Sequence, residues 1–158
     1  TTPGIYNNTK FSIEGYKIIE NEKKVIITCG ATICTQPESK ASIIYTITSK
    51  GIEVDMQFYP DSSLPEIPEV SMLFELPADF ENVTYLGNGP HENYIDRNNG
   101  VKLGVYNTTV TDMYTDYLKP QECGNRTGVR YATLVGNKKT FTVIAACYGV
   151  QCKSLSAA

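Results

Sequence analysis

The sequence predicts an all-β fold, an antiparallel β-sandwich formed as a single domain over residues 1–158. Three observations carry that prediction. Apolar residues recur with a period of two, Gly-, Pro- and Asn-rich turns separate most of the periodic segments, and helical spacing is confined to one short stretch. Ile52, Val54, Met56 and Phe58 alternate with Glu53, Asp55 and Gln57, the pattern of a strand with one wet face. The β-branched and aromatic segment 43–48 precedes it, joined by a short hairpin connection at Ser49-Lys50-Gly51. Segment 25–29 is a further strand, reached from 16–19 through the polar turn Glu20-Asn21-Glu22-Lys23-Lys24. Val70, Met72, Phe74 and Leu76 repeat the alternation, with Leu73 suggesting burial on both faces. Segments 83–86, 103–106, 129–135 and 141–148 bring the expectation to roughly nine strands. Many short antiparallel strands with polar alternate positions must pair two inner faces, which is the sandwich. The helical spacing is Val110, Met113, Tyr114 and Tyr117, barely two turns long before Pro120. It is expected as a helical turn or irregular loop over one end of a sheet.

Composition bounds the rest. With 158 residues, 41% hydrophobic and 20% charged, the chain is globular in character. A domain of this length buries about 70% of its unfolded surface. Fourteen basic against seventeen acidic residues give a net charge of −3, which offers no basic stripe to recruit nucleic acid. The longest apolar runs reach half of the ~20 residues of a membrane helix, so no membrane partner is expected. The polar start, with Pro3 and Gly4, has no signal-peptide pattern.

Five cysteines are present. The Cys29/Cys34 spacing repeats at Cys147/Cys152, which invites a four-thiolate zinc site. Apolar, β-branched surroundings favour free thiols over zinc or disulfides instead. Reduced thiols point to a cytoplasmic location. Sequons at Asn7, Asn82, Asn107 and Asn125 are equally explained by a chain rich in Asn and Thr.

Two polar loops dominate the second half, residues 87–97 and 117–127. His91, the sole histidine, has Glu92 and Asp96 beside it, but no nucleophile elbow or metal-ligand set accompanies it. Glu92 and Glu122 could form the carboxylate pair of glycoside hydrolysis if the loops met at about 5 Å. The favoured reading is structural: Glu92, Asp96 and Glu122 pair with Arg97, Arg126 and Arg130 to brace the loops. Tyr85, Tyr94, Tyr114, Tyr117 and Tyr131 suit sugar stacking, a sandwich rim or an interdomain contact.

The run Tyr85-Leu86-Gly87-Asn88-Gly89-Pro90-His91-Glu92-Asn93-Tyr94-Ile95-Asp96-Arg97 resembles a signature of the C-terminal small domain of glycoside hydrolase family 2 β-galactosidases. Asp112-Met113-Tyr114-Thr115-Asp116-Tyr117, then Pro120-Gln121-Glu122-Cys123-Gly124-Asn125-Arg126-Thr127-Gly128-Val129-Arg130, resemble its next block. The resemblance covers the whole chain and implies the first half of a galactose-mutarotase-like supersandwich, truncated about midway. It implies a parent enzyme that hydrolyses terminal β-D-galactosides such as lactose with retention, through glutamates of a TIM barrel absent here. The aromatic that such a domain lends to the galactoside pocket lies on a later loop, so no catalytic residue carries over.

The expected role is therefore an accessory part of a β-galactosidase, inactive alone and binding no metal or cofactor. Its expected partners are the remaining domains and neighbouring subunits, with galactosides met only through the parent enzyme. Glu92, Tyr94, Asp96, Arg97 and Arg130 are then loop braces. The alternative is a carbohydrate-binding module, with His91, Glu122, Asn125 and Arg126 around a shallow sugar site.

Overall fold

The computed structural model describes residues 10–67, 71–119 and 121–145. The described chain is nearly all β, with two four-stranded antiparallel sheets, as the sandwich prediction requires. It divides into two compact units, Thr1–Met72 and Leu73–Ala158, each holding one sheet.

The first unit is a meander of four long strands: β1 (Phe11–Glu20), β2 (Lys24–Ile33), β3 (Ser39–Thr48) and β4 (Gly51–Tyr59). All four expected segments are present and most are longer than periodicity alone marked. Their register places Ile13, Ala31, Ala41 and Phe58 in one row across the sheet. Tyr16, Cys29, Ile43 and Met56 form the next, and Ile18, Ile27, Tyr45 and Val54 a third. In β1 the period of two breaks between Ile13 and Tyr16. A register shift between Ile13 and Gly15 absorbs the extra residue and returns Tyr16 to the apolar face. On the opposite face Glu14 accepts hydrogen bonds from Lys40 and Thr32, tying β1, β2 and β3 together. The apolar face is only partly covered within its unit: Ile13, Tyr16 and Ile52 are 61%, 72% and 64% exposed.

The second unit orders its strands β6-β5-β7-β8, with β5 (Asn82–Gly89), β6 (Lys102–Thr109), β7 (Tyr131–Val135) and β8 (Thr140–Ile144). β5 is central and alternates strictly, burying Val83, Tyr85, Gly87 and Gly89. Val83 and Tyr85 join Met113 and Ala132 in the core, with Tyr106, Val110, Val129 and Leu134 packed around them. Between β6 and β7 lies α1 (Val110–Met113), a single turn capped by the Thr109 side chain, which accepts from Asp112 N at 3.0 Å. Tyr114 is already extended, so helical spacing out to Tyr117 produces only the first turn.

Eight strands form among the described residues rather than nine. Val70 of the expected strand over 70–76 lies outside the described residues, and 71–76 adopts no strand. Pro77 removes a ladder donor there, and its carbonyl instead accepts from Phe80 N at 3.1 Å. Residues 146–148 of the last expected strand also lie outside the described residues. Of the cysteines, Cys29, Cys34 and Cys123 are free thiols, half-buried, exposed and buried respectively. Cys147 and Cys152, and with them the zinc reading, lie outside the described residues.

Gly89 closes β5 where two tyrosines converge. A Cβ there would stand 2.5 Å from Tyr85 Oη and 2.7 Å from the Tyr106 ring, closer than any side chain tolerates. Gly89→Ala should therefore destabilise the chain by about 1–3 kcal/mol in urea unfolding, through displaced aromatic rings. Parent-like stability would contradict this packing.

Candidate functional site

The two polar loops meet at the end of β5, and Asn93 is the residue that joins them. It is 0% exposed. Its Nδ2 donates to the carbonyls of Asn88 (3.0 Å) and His91 (2.9 Å), which closes the first loop on itself. Its Oδ1 accepts from the amide (2.9 Å) and hydroxyl (2.5 Å) of Thr127 in the second loop. Two further bonds join the loops: Asn93 N donates to Asn125 O at 2.9 Å, and the Asn125 side-chain Nδ2 donates to Asn93 O at 2.7 Å. Both amide ends of Asn93 are thus satisfied, as burial of a polar side chain demands. Asn88 completes the seam, its N donating to Thr127 O (2.9 Å) and its Nδ2 to Thr127 Oγ1 (3.0 Å).

Glu92 makes the second junction. Its carboxylate accepts from Arg97 Nη2 at 2.6 Å, from the Tyr117 hydroxyl, and from Gly124 N at 2.5 Å. Gly124 has φ 76°, a left-handed backbone that glycine adopts without strain. Arg97 also donates to Tyr117 Oη at 2.9 Å and lies over the Tyr94 ring, 5.1 Å from its centroid. Burial alone would raise the Glu92 pKa. The Tyr117 hydroxyl, the Gly124 amide, Thr115 and the Arg97 charge outweigh it and hold the carboxyl below its ordinary value. Tyr94 responds oppositely: burial, then the charges of Glu92 and Glu122, push its phenol up to about 12. It remains a neutral donor to Glu122 O, at 3.2 Å.

Arg126 is buried behind the seam. Its Nε donates to Tyr85 Oη at 3.1 Å, and its Nη1 to the carbonyls of Gly124 (3.0 Å) and Asn125 (3.2 Å). Tyr85 Oη passes its own proton toward Pro90 O at 3.3 Å.

The residues singled out in the sequence therefore have different environments. Asn125 and Arg126 are 4% exposed and engaged with neighbouring main chain and Tyr85, whereas His91 and Glu122 are exposed. Among the braces, Glu92 and Arg97 form an ion pair and Tyr94 pairs with Arg97 in an isolated bridge. Asp96 and Arg130 are exposed and enter no ion pair among the described residues, although Arg130 N donates to Leu86 O at 2.8 Å. Among the described residues no three His, Cys, Asp or Glu side chains are grouped to hold a metal, and no helix is long and apolar enough to cross a membrane.

Sequence reasoning did not single out Asn93 or Thr127, and assigned Tyr85 and Tyr117 only a general aromatic role. For Tyr85 a signal existed, since it falls on the inward phase of the Val83-Tyr85-Gly87 alternation. For Asn93 the periodic pattern is silent, because an asparagine in a polar loop looks the same buried or solvated.

The two loops lie inside a region matched by the family model described as "Beta galactosidase small chain", over residues 5–156. The chain belongs to the β-galactosidase small-chain family. Its relatives include the β-galactosidase of Priestia megaterium, 43% identical over 97 residues, 61% of this chain and 9% of that protein. The β-galactosidase of Streptococcus thermophilus is 30% identical over 137 residues, 78% of this chain and 13% of that protein. "Beta-galactosidase BgaC" of Bifidobacterium adolescentis is 34% identical over 117 residues, covering 72% and 11%. The chain thus spans about a tenth of the length of these relatives, in keeping with a part of a β-galactosidase of glycoside hydrolase family 2.

Two predictions follow from the loop junctions. Asn93→Ala strands the carbonyls of Asn88 and His91 and the amide of Thr127, and should cost at least about 2 kcal/mol in denaturant unfolding. A loss under about 0.5 kcal/mol would contradict the seam. For Glu92, a folded pKa below the unfolded value gives stability that is present above the unfolded pKa, about 4.3. That stability is lost as pH falls through the folded pKa. Glu92→Gln should accordingly be less stable at pH 7 and show a shallower acid loss than the parent in stability measured from pH 7 to 3. Parallel curves would remove Glu92 from the brace.

Proposed function

We propose that this chain is an accessory, non-catalytic part of a β-galactosidase that hydrolyses terminal β-D-galactosides such as lactose. Its work is to pack against the enzyme's other domains and neighbouring subunits. The observation that carries this reading is where the polar groups of the signature loops point. Asn93, Glu92, Arg97 and Arg126 bond to one another's loops and to main chain, so the polar side chains at the junction of the loops are occupied in holding shape, while His91, Asp96 and Glu122 are exposed. General acid–base chemistry needs such groups within reach of a substrate proton instead. A second support comes from the first unit, whose predominantly apolar face of Ile, Val, Tyr and Phe is too exposed for an isolated domain and suits a protein partner.

The test is complementation. A relative's β-galactosidase is prepared without its small-chain segment and mixed with this chain, and hydrolysis of a chromogenic galactoside is followed. The expected result is no turnover by the chain alone, and a concentration-dependent gain in activity or thermal stability of the truncated enzyme. Turnover by the chain alone would overturn the non-catalytic assignment. Amide shifts at His91, Glu122, Asn125 and Arg126 on adding galactose, with no effect on the truncated enzyme, would favour the carbohydrate-binding module.

A further inference from the structure

The bulge divides β1 into two parts that are held very differently. After it, residues 15–20 pair with residues 25–30 and run straight into a tight turn. There Asn21 N donates to Lys24 O, and Asn21 Oδ1 accepts from the amides of Lys23 and Lys24, each at 3.0 Å. Before the bulge, residues 11–13 pair with residues 31–33, and Cys34 N donates to Lys10 O at 3.0 Å. Side-chain burial adds little at this end, since Phe11 and Ile13 are 53% and 61% exposed. A strand end with a few solvent-exposed ladder bonds and little buried apolar surface opens more easily than the rest of its sheet.

Glu14 ties that end down. As the extra residue of the bulge it has no Cα partner on β2, so its side chain is not committed to a cross-strand pair. It passes over Gly30, where even a Cβ would stand 4.0 Å from Glu14 Oε2. The carboxylate then accepts from Thr32 of β2 and from Lys40 of β3, and Lys40 Nζ also donates to Thr32 Oγ1 at 2.7 Å. One charged acceptor thus joins three strands, and its bonds weaken when it gains a proton. The groups around it are Lys40 from β3, on which the charge of Glu38 also acts, and Thr32 and Gly30 from β2. Tyr59 of β4 pairs with Lys40 on its far side, and Lys17 of β1, paired with Thr28, lies on the same face.

We propose that Glu14 is an acid-released latch: protonating its carboxylate frees residues 10–13 from the sheet while residues 15–20 stay paired. Opening bares the main chain of β2 from Ala31 to Cys34, the kind of edge onto which another strand can add. The direction of the switch follows from the contacts. The bond from Lys40, then that from Thr32, holds the Glu14 carboxyl below its ordinary value. The latch is therefore closed above the unfolded pKa of about 4.3 and opens as pH falls through the folded value. Every contact lies within the first unit, so the latch stands or falls independently of the accessory role.

Amide hydrogen exchange on the chain tests this, read as protection relative to an unstructured peptide so that the intrinsic pH dependence cancels. The pH is lowered from about 6 to about 3, across the carboxylate range. The Cys34 amide and the protected amides of residues 11–13 should lose about two- to fivefold more protection than those of residues 16–20, the scale of an exposed charge pair. Glu14→Gln should show the lower protection before any acid is added, with no further selective loss in acid. Lys40→Met, which removes the cation from the other side, should lower it near neutral pH too. The pH series on the parent chain needs no variant, so it decides the point even if a variant fails to fold. Equal loss in the two parts of β1, by general unfolding or otherwise, overturns the proposal. Selective acid loss that persists unchanged in Glu14→Gln overturns Glu14 as the latch.

Discussion

The amide of Asn93 is the constraint on which the second unit depends. One side chain with no contact to solvent closes its own loop through Asn88 and His91 and fastens the other loop through Thr127. An amide has two donors and an acceptor with two lone pairs, and here each end faces partners of the opposite kind. A carboxylate in its place would present acceptors to two carbonyls, and an apolar residue would leave buried groups without partners. The other bonds are built outward from this seam. Glu92 adds a charged junction one residue earlier in the chain, and Arg126, one residue before Thr127, turns its guanidinium to the Tyr85 hydroxyl at the end of the core.

The same arrangement links the fold to the loops. β5 buries Val83 and Tyr85 by strict alternation, and the Tyr85 hydroxyl reaches the far side of the core to meet Arg126 and Pro90. Gly89 leaves room for that hydroxyl and for Tyr106. Core packing and loop geometry are therefore not independent, since displacing either tyrosine would move the acceptor that holds Arg126. The cost of replacing Gly89 should exceed what its own contacts suggest for this reason.

Much of the fold was legible because burial and period coincide. Eight of the expected strands have counterparts, and β4 alternates buried-side apolar residues with solvated Glu53, Asp55 and Gln57 as its sequence does. Periodicity failed where a second constraint overrode it. Met72, Phe74 and Leu76 alternate correctly yet form no strand, because apolar spacing cannot report whether a partner strand exists. The expected first segment covered only 16–19, whereas a register shift between Ile13 and Gly15 lets β1 run from Phe11. In the site, the long motifs located the two loops, and opposite charges foretold Glu92 with Arg97. Burial of Asn93, Asn125 and Arg126 was not legible, because the bonds that make it affordable join residues about thirty positions apart in the chain.

Amide hydrogen exchange across residues 87–97 and 121–127 tests the central claim most directly. If Asn93 locks the loops into the core, the Asn93 and Thr127 amides, both in loops without ladder bonds, should open only with β5. They would then exchange as slowly as the Val83 and Tyr85 amides. Exchange at the fast rate of open surface loops, while β5 remains protected, would mean that the loops are tied only to themselves and that the seam does not hold the unit together.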